Sequence, residues 1–437
     1  MADAAAAALR LPPDHPQRIE LNDEVHARPP QALAAPLRLT YLALVADAAG
    51  RERQWQQVVD LVRRYGVEPP PAGATHFAAD LGPFRLKWER HTEFSRYKFI
   101  VAGAGGEDPF AEPALAAVPQ DWLAGLAGEV MVATHVALLP ASGFAGDYEA
   151  LGGRLFGGNT LVGAVIAGGA ATAFTDFRIR ADGFGRLLVL DRGMTPRQAG
   201  RMIQRLVEID TYRIMALLAL PVARALAPAI TRSEHELAEI TTALAAARVE
   251  DEAALLDRLT RLEAEIEGRQ ADTHYRFGAA SAYWSLVDRR IAELREERLP
   301  GLQTFREFTE RRLAPAMDTC RAVAGRQESL SQRVSRATQL LSTRVDVTRE
   351  RQTQAILESM DRRARLQLRL QETVEGLSIA AITYYIVGLV GYLAKGLKAG
   401  GLHIDPEITM GIAIPVVAIL VALGVRQVRR MVTKAAE

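Results

Sequence analysis

Residues 377–394 read LSIAAITYYIVGLVGYLA and residues 408–425 read ITMGIAIPVVAILVALGV, two runs of eighteen residues without a charged side chain. At ~1.5 Å per residue each makes a helix about 27 Å long, close to the ~30 Å thickness of a bilayer's hydrocarbon core. Leu, Ile and Val fill eight positions of the first run and ten of the second, and each favours insertion near the bilayer centre. The pair therefore predicts a C-terminal transmembrane hairpin over residues 374–430.

The intervening segment KGLKAGGLHIDPE, residues 395–407, is too short for anything but antiparallel neighbours. Arg362, Arg363, Arg365 and Arg369 precede the hairpin and Arg426, Arg429, Arg430 and Lys434 follow it, whereas the connection holds only Lys395 and Lys398. Positive charge stays on the cytoplasmic side. Both termini are thus expected in the cytoplasm, with Arg362, Arg363, Arg365, Arg369, Arg429 and Arg430 at lipid headgroups. Ser378, Thr383, Tyr384, Gly388, Gly391, Thr409 and Pro415 are the candidates for pore lining or for packing between helices, and packing is the simpler role.

Outward from the hairpin, residues 229–373 show apolar side chains at spacings of three and four. Leu237, Ile240, Leu244 and Ala247 form one stripe, Leu255, Leu259, Leu262 and Ile266 another, and Trp284, Val287, Ile291 and Leu294 a third. Such stripes predict amphipathic helices in a bundle or coiled-coil stalk. Breaks are expected at Pro300-Gly301 and, more weakly, at Gly268 and Pro315, and an N-terminal cap at Thr231–Ser233. A last helix from about Arg326 is expected to run into the first span.

Before Pro228 the pattern changes to short strands and turns: residues 37–46, 84–89, 97–102, 130–139, 160–167, 173–180 and 186–190 read as strands, 52–65 as a helix, and 196–220 as a helix leading out. The expected class is α+β: an arm over residues 1–35, a mixed α/β domain over 36–228 with a partly antiparallel sheet, the stalk, then the hairpin.

Composition sets further bounds. The net charge of +1 gives no electrostatic case for nucleic acid, and the single cysteine, Cys320, excludes an intrachain disulfide. The Gly-rich stretches at 103–106, 152–153 and 157–158 lack the residues that complete a dinucleotide or P-loop site. His91, Glu93 and His135 have no metal-ligand spacing, no nucleophile elbow is present, and no catalytic residue is assigned. Metal and cofactor are left unknown.

Three segments, LNDEVHARPP at 21–30, the run from Thr211 ending LALPVARALAP, and TVEGLSIAAITYY at 373–385, resemble a family of bacterial membrane-anchored proteins of unknown function. The resemblance covers nearly the whole chain and supplies a topology without an activity. It implies an inner-membrane, multi-pass protein and directs attention to Asn22, Asp23, Glu24, His26 and Arg28. The layout is also similar to that of CorA-type magnesium channels. Their Gly-Met-Asn motif is missing, because the first run ends Gly391-Tyr392-Leu393 and the asparagines are Asn22 and Asn159. The expected function is a non-enzymatic scaffold or ligand- or partner-binding protein, homo-oligomeric and in contact with membrane lipid; the alternative is a divergent CorA-like cation channel or transporter.

Overall fold

The computed structural model describes residues 12–26, 30–142, 144, 146–401 and 405–434, the side chains of 24–26 and 429–434 excepted. It is a mixed α+β structure. After a short helix α1 (Arg18–His26) come β1 (Leu37–Val45), α2 (Ala48–Arg64), β2 (His76–Asp80), β3 (Arg85–Arg90), β4 (Phe94–Ala102) and the short α3 (Gln120–Ala124). There follow β5 (Glu129–Pro140), α4 (Tyr148–Phe156), β6 (Val162–Ile166), β7 (Ala171–Thr175), β8 (Gly185–Asp191) and α5 (Pro196–Leu217). The remainder is α6 (Ala219–Ala246), α7 (Glu252–Leu294), β9 (Glu297–Arg298), α8 (Phe305–Arg312), α9 (Ala314–Ala399) and α10 (Pro406–Lys434).

The described chain forms two compact units. One runs to Thr242 and resumes over Arg258–Arg336; the other comprises Ala243–Asp257 and the chain from Ala337 onward. In the first, nine strands form one sheet in the order β2-β3-β4-β1-β5-β8-β7-β6-β9. All neighbours are antiparallel except β5 and β8. The order divides into two halves, each a strand, a helix and a three-strand meander whose last strand lies beside the first, antiparallel to it in one half and parallel in the other. They meet where β1 pairs with β5.

One face of the sheet is apolar. On it Leu42, Leu44, Leu86, Trp88, Tyr97 and Phe99 pack with Val58, Leu61 and Val62 of α2 and with Trp122. Across the second half, Ala137, Phe174 and Leu188 pack with Leu151, Leu155 and Phe156 of α4. The opposite face is covered by α5, whose Pro196 stands in the first turn after the cap Thr195, where its missing N–H is harmless. Twelve residues of α5 are buried.

Further along in the same unit, α6, α7 and the start of α9 pack side by side. Arg326 pairs with Glu234 at 2.6 Å and Gln270 bonds Glu328 at 2.8 Å; the expected stripe residues Leu237, Ile240, Leu259, Leu262, Ile266, Val287 and Ile291 are buried, as are Leu330 and Val334 of α9.

Several local expectations need correction. Thr231 does not cap a helix: it lies inside α6, where its hydroxyl donates to the Ala227 carbonyl at 3.1 Å. Pro228, the expected boundary, is likewise interior to α6, and Gly268 interrupts nothing in α7. The weaker break expected at Pro315 is present, at Leu313 between α8 and α9, but α9 then starts twelve residues before Arg326. Within the expected arm, the segment holding Asn22, Asp23, Glu24 and His26 is helical in α1.

Among the described residues three helical stretches are long and apolar enough to cross a membrane: Pro196–Ala246, Ala314–Ala399 and Pro406–Val428. In the first, 39% of the most apolar window is buried; the corresponding window of the third has none buried.

Candidate functional site

The sheet face under α5 carries charge where an apolar layer is the norm. On β3 and β4 the register places Glu89 opposite Arg96 and Lys87 opposite Lys98, while Tyr41 of β1 stands beside Lys98. Because strand side chains alternate, these residues share the face opposite Trp88, Tyr97 and Phe99. Lys87, Glu89, Arg96 and Lys98 are all buried, as is Glu208 on the overlying helix.

Ion pairs connect the layer. Arg96 Nε meets Glu89 Oε2 at 2.5 Å and its Nη1 meets Glu208 Oε1 at 2.8 Å; Lys87 Nζ lies 3.3 Å from Glu89. From Glu208 the chain continues to Arg290 of α7 at 2.5 Å, then to Glu293 at 3.1 Å and back to Arg205 of α5 at 2.8 Å. Tyr41 and Thr211 share a hydrogen bond of 2.7 Å beneath it.

Three buried cations, Lys87, Arg96 and Lys98, face two buried carboxylates, Glu89 and Glu208. Among the described residues no carboxylate forms an ion pair with Lys98. Burial, reinforced by Arg96 and Lys87 and only partly offset by Glu89 and Glu208, pushes its ammonium down to about 7. Burial opposes ionisation of Glu89 as well, but Arg96, Lys98 and Lys87 outweigh it and hold the carboxyl at about 2. The layer thus keeps two carboxylates ionised and one amine near half-neutral at pH 7.

The sequence-derived candidates lie elsewhere and are not brought together. His135 hydrogen-bonds Thr40 at 3.0 Å and stacks on Phe184, and burial lowers its imidazole to about 4. His91 stacks on Phe94, while Glu93 pairs with Arg276 at 2.9 Å. Among the described residues no group of three His, Cys, Asp or Glu side chains is placed to hold a metal ion. Asn22 and Asp23 are exposed on α1; the Glu24 and His26 side chains and all of Arg28 lie outside the described residues.

In the second unit, Gly391 of α9 sits under Met410 of α10, where a Cβ would stand 2.5 Å from the Met410 sulfur. Thr383 and Thr409 are half-buried, Ser378 and Tyr384 are exposed, and Gly388 is partly covered with open space above it. Ser378 and Thr409 donate back to the Val374 and Asp405 carbonyls at 2.8 Å. Pro415 lies inside α10. Arg362, Arg363, Arg365 and Arg369 are exposed, with Arg365 paired to Asp361; the Arg429 and Arg430 side chains lie outside the described residues.

The family model for proteins of unknown function designated DUF3422 matches residues 13–432. The chain belongs to the DUF3422 family. No curated protein and no solved structure matches it. The buried charged layer of this DUF3422 protein escaped sequence reasoning because LKWER and SRYKFI have the alternation of strands with one wet face. The one available signal was Glu208, a carboxylate amid the apolar positions of a helix.

Proposed function

We propose that this DUF3422 protein is a non-enzymatic, multi-pass inner-membrane protein that works as a homo-oligomeric scaffold. Residues 377–394 and 408–425 form its transmembrane hairpin, and both termini are cytoplasmic. The observation that carries the oligomer is the middle of α9: every residue from Arg349 to Val374 is exposed. Ile356, Leu357, Met360, Leu366, Leu368 and Leu370 are each more than half exposed there. Ile356, Met360, Leu370, Val374 and Leu377 follow alternating four- and three-residue steps, with Arg363 and Gln367 at the two intervening positions, which is the spacing of a coiled-coil seam. Burying one such side chain is worth ~1.5–3 kcal/mol, so association of copies along this stretch is strongly favoured over a bare helix.

The uncharged lengths, the exposed apolar surface of α10 and the flanking arginines support the membrane hairpin. Light scattering in mild detergent tests the scaffold: a particle of several copies is expected, and a strict monomer overturns it. Labelling of Gly400→Cys in a Cys320→Ser background tests the topology; reactivity only from the cytoplasmic side overturns it.

A divergent CorA-like cation channel is the second reading, favoured by one observation: the stalk segment and the first apolar run belong to a single 86-residue helix. Against it, neither run offers a carboxylate or an asparagine to an ion. Protein-dependent cation flux in reconstituted vesicles would promote it; its absence eliminates it.

A further inference from the structure

Where the ion-pair chain from the charged layer reaches the surface, α5 and the end of α7 border a groove of about 560 Å³ lined by Gln198, Arg201, Arg205, Arg289, Glu293 and Arg295. This is within the ~300–1,000 Å³ of ordinary ligand pockets. Its one carboxylate is already committed, since Glu293 holds both Arg205 and Arg290. Arg201, Arg289 and Arg295 form no ion pair or hydrogen bond through their guanidinium groups with any described residue. Three unmatched guanidinium groups therefore line one concavity in a chain whose net charge is only +1.

One alternative to a ligand accounts for part of this. Cations at a helix C-terminus offset its dipole, which suits Arg289 and Arg295 at the end of α7. It does not suit Arg201, which stands in the second turn of α5, far from the C-terminus of that helix. Nor does it explain the backbone. Arg295 has φ +51 and Ala167, on the groove's rim, φ +59. Arg295 follows the last residue of α7, a left-handed position that glycine usually fills. Retaining arginine there costs ~1–2 kcal/mol, and strained non-glycine residues gather at ligand clamps.

We infer that this groove binds a soluble anion carrying two or three linked phosphates. Guanidinium forks match phosphate oxygens, and several at once favour a multivalent ion over chloride or sulfate. Among the described residues no aromatic side chain lines the groove, so none of them stacks a nucleobase there, and the phosphates themselves are the recognised group. The site lies wholly within the sheet-containing unit and is independent of the oligomeric proposal.

Calorimetry on the full-length protein in detergent, titrated with inorganic pyrophosphate and tripolyphosphate, tests the inference. Saturable binding is expected, weakened at least about tenfold in Arg289→Gln and in Arg295→Gly. Arg295→Gly is also expected to raise the melting temperature, because glycine relieves the left-handed residue, so lost binding there cannot be lost folding. Four results overturn the inference: no binding to the unaltered protein; unchanged affinity in both variants; equal affinity for sulfate; or displacement of pyrophosphate by phosphatidylglycerol added to the micelle, which assigns the groove to a lipid headgroup.

Discussion

Arg96 is the residue on which the charged layer depends, because among the described residues it alone pairs with both Glu89 and Glu208. Replacing it with Met leaves Glu89 and Glu208 short of their main partner in a site closed to water, at a cost of ~3–5 kcal/mol; urea denaturation of Arg96→Met should show a correspondingly lower midpoint. Lys98 works in the opposite sense. Its folded value of about 7 lies below the 10.5 of a free lysine, so between these values the unfolded chain binds the extra proton. Stability must therefore rise as pH increases from about 7 towards 10, the full penalty being in force below that window. Lys98→Met should flatten the rise and add at least ~1 kcal/mol at pH 7, and an unchanged slope in pH-dependent melts would refute the assignment. None of this was legible residue by residue. Lys87, Glu89, Arg96 and Lys98 alternate with Leu86, Trp88, Tyr97 and Phe99 as they would on a strand with one face in water, and only the tertiary cover by Glu208 and Arg290 reverses that expectation.

At the scale of elements, legibility followed periodicity. The strand–turn pattern before residue 228 located β1, β3, β4, β5, β6 and β8 to within a few residues, because alternation or a continuous apolar run marks each of them. Caps and boundaries were less visible: a Thr-Arg-Ser-Glu sequence resembles a helix start, yet α6 is long enough to absorb it together with Pro228. Close approach of elements left no periodic trace at all. Gly200 of α5 lies against the chain just after the LNDEVHARPP segment, where a Cβ would stand 1.7 Å from the Gln31 carbonyl oxygen. The same stretch is fixed by the Leu33 amide, which donates to the Pro196 carbonyl at 2.9 Å. Unlike a side-chain tip, this backbone has no second rotamer to adopt. Gly200→Ala should therefore displace the segment at residues 31–33 and cost ~1–3 kcal/mol, detectable as faster amide exchange at Leu33; protection equal to that of the parent protein would show that the contact is dispensable.

For the whole molecule, the decisive quantity is surface that one chain does not cover. The uncharged runs at 377–394 and 408–425 were plain in the sequence because hydropathy is a local property. The bare stretch of α9 was hidden by the charges that surround its apolar positions, among them Arg349, Arg351, Arg362, Arg363 and Arg365. Exposure in the folded chain separates the two: Ile356 and Leu370 are 60% and 67% exposed, which no amphipathic stripe packed within its own chain would leave. If copies associate along this seam, Ile356→Asp with Leu370→Asp places charges at two core positions of every helix in the assembly. Each unpaired buried charge costs several kcal/mol, enough to drive the particle to monomers in light scattering. The same double variant should leave the melting of the sheet-containing unit untouched, since that unit ends at Arg336. An assembly that survives both aspartates must be held by other contacts, with the hairpin helices the next place to look.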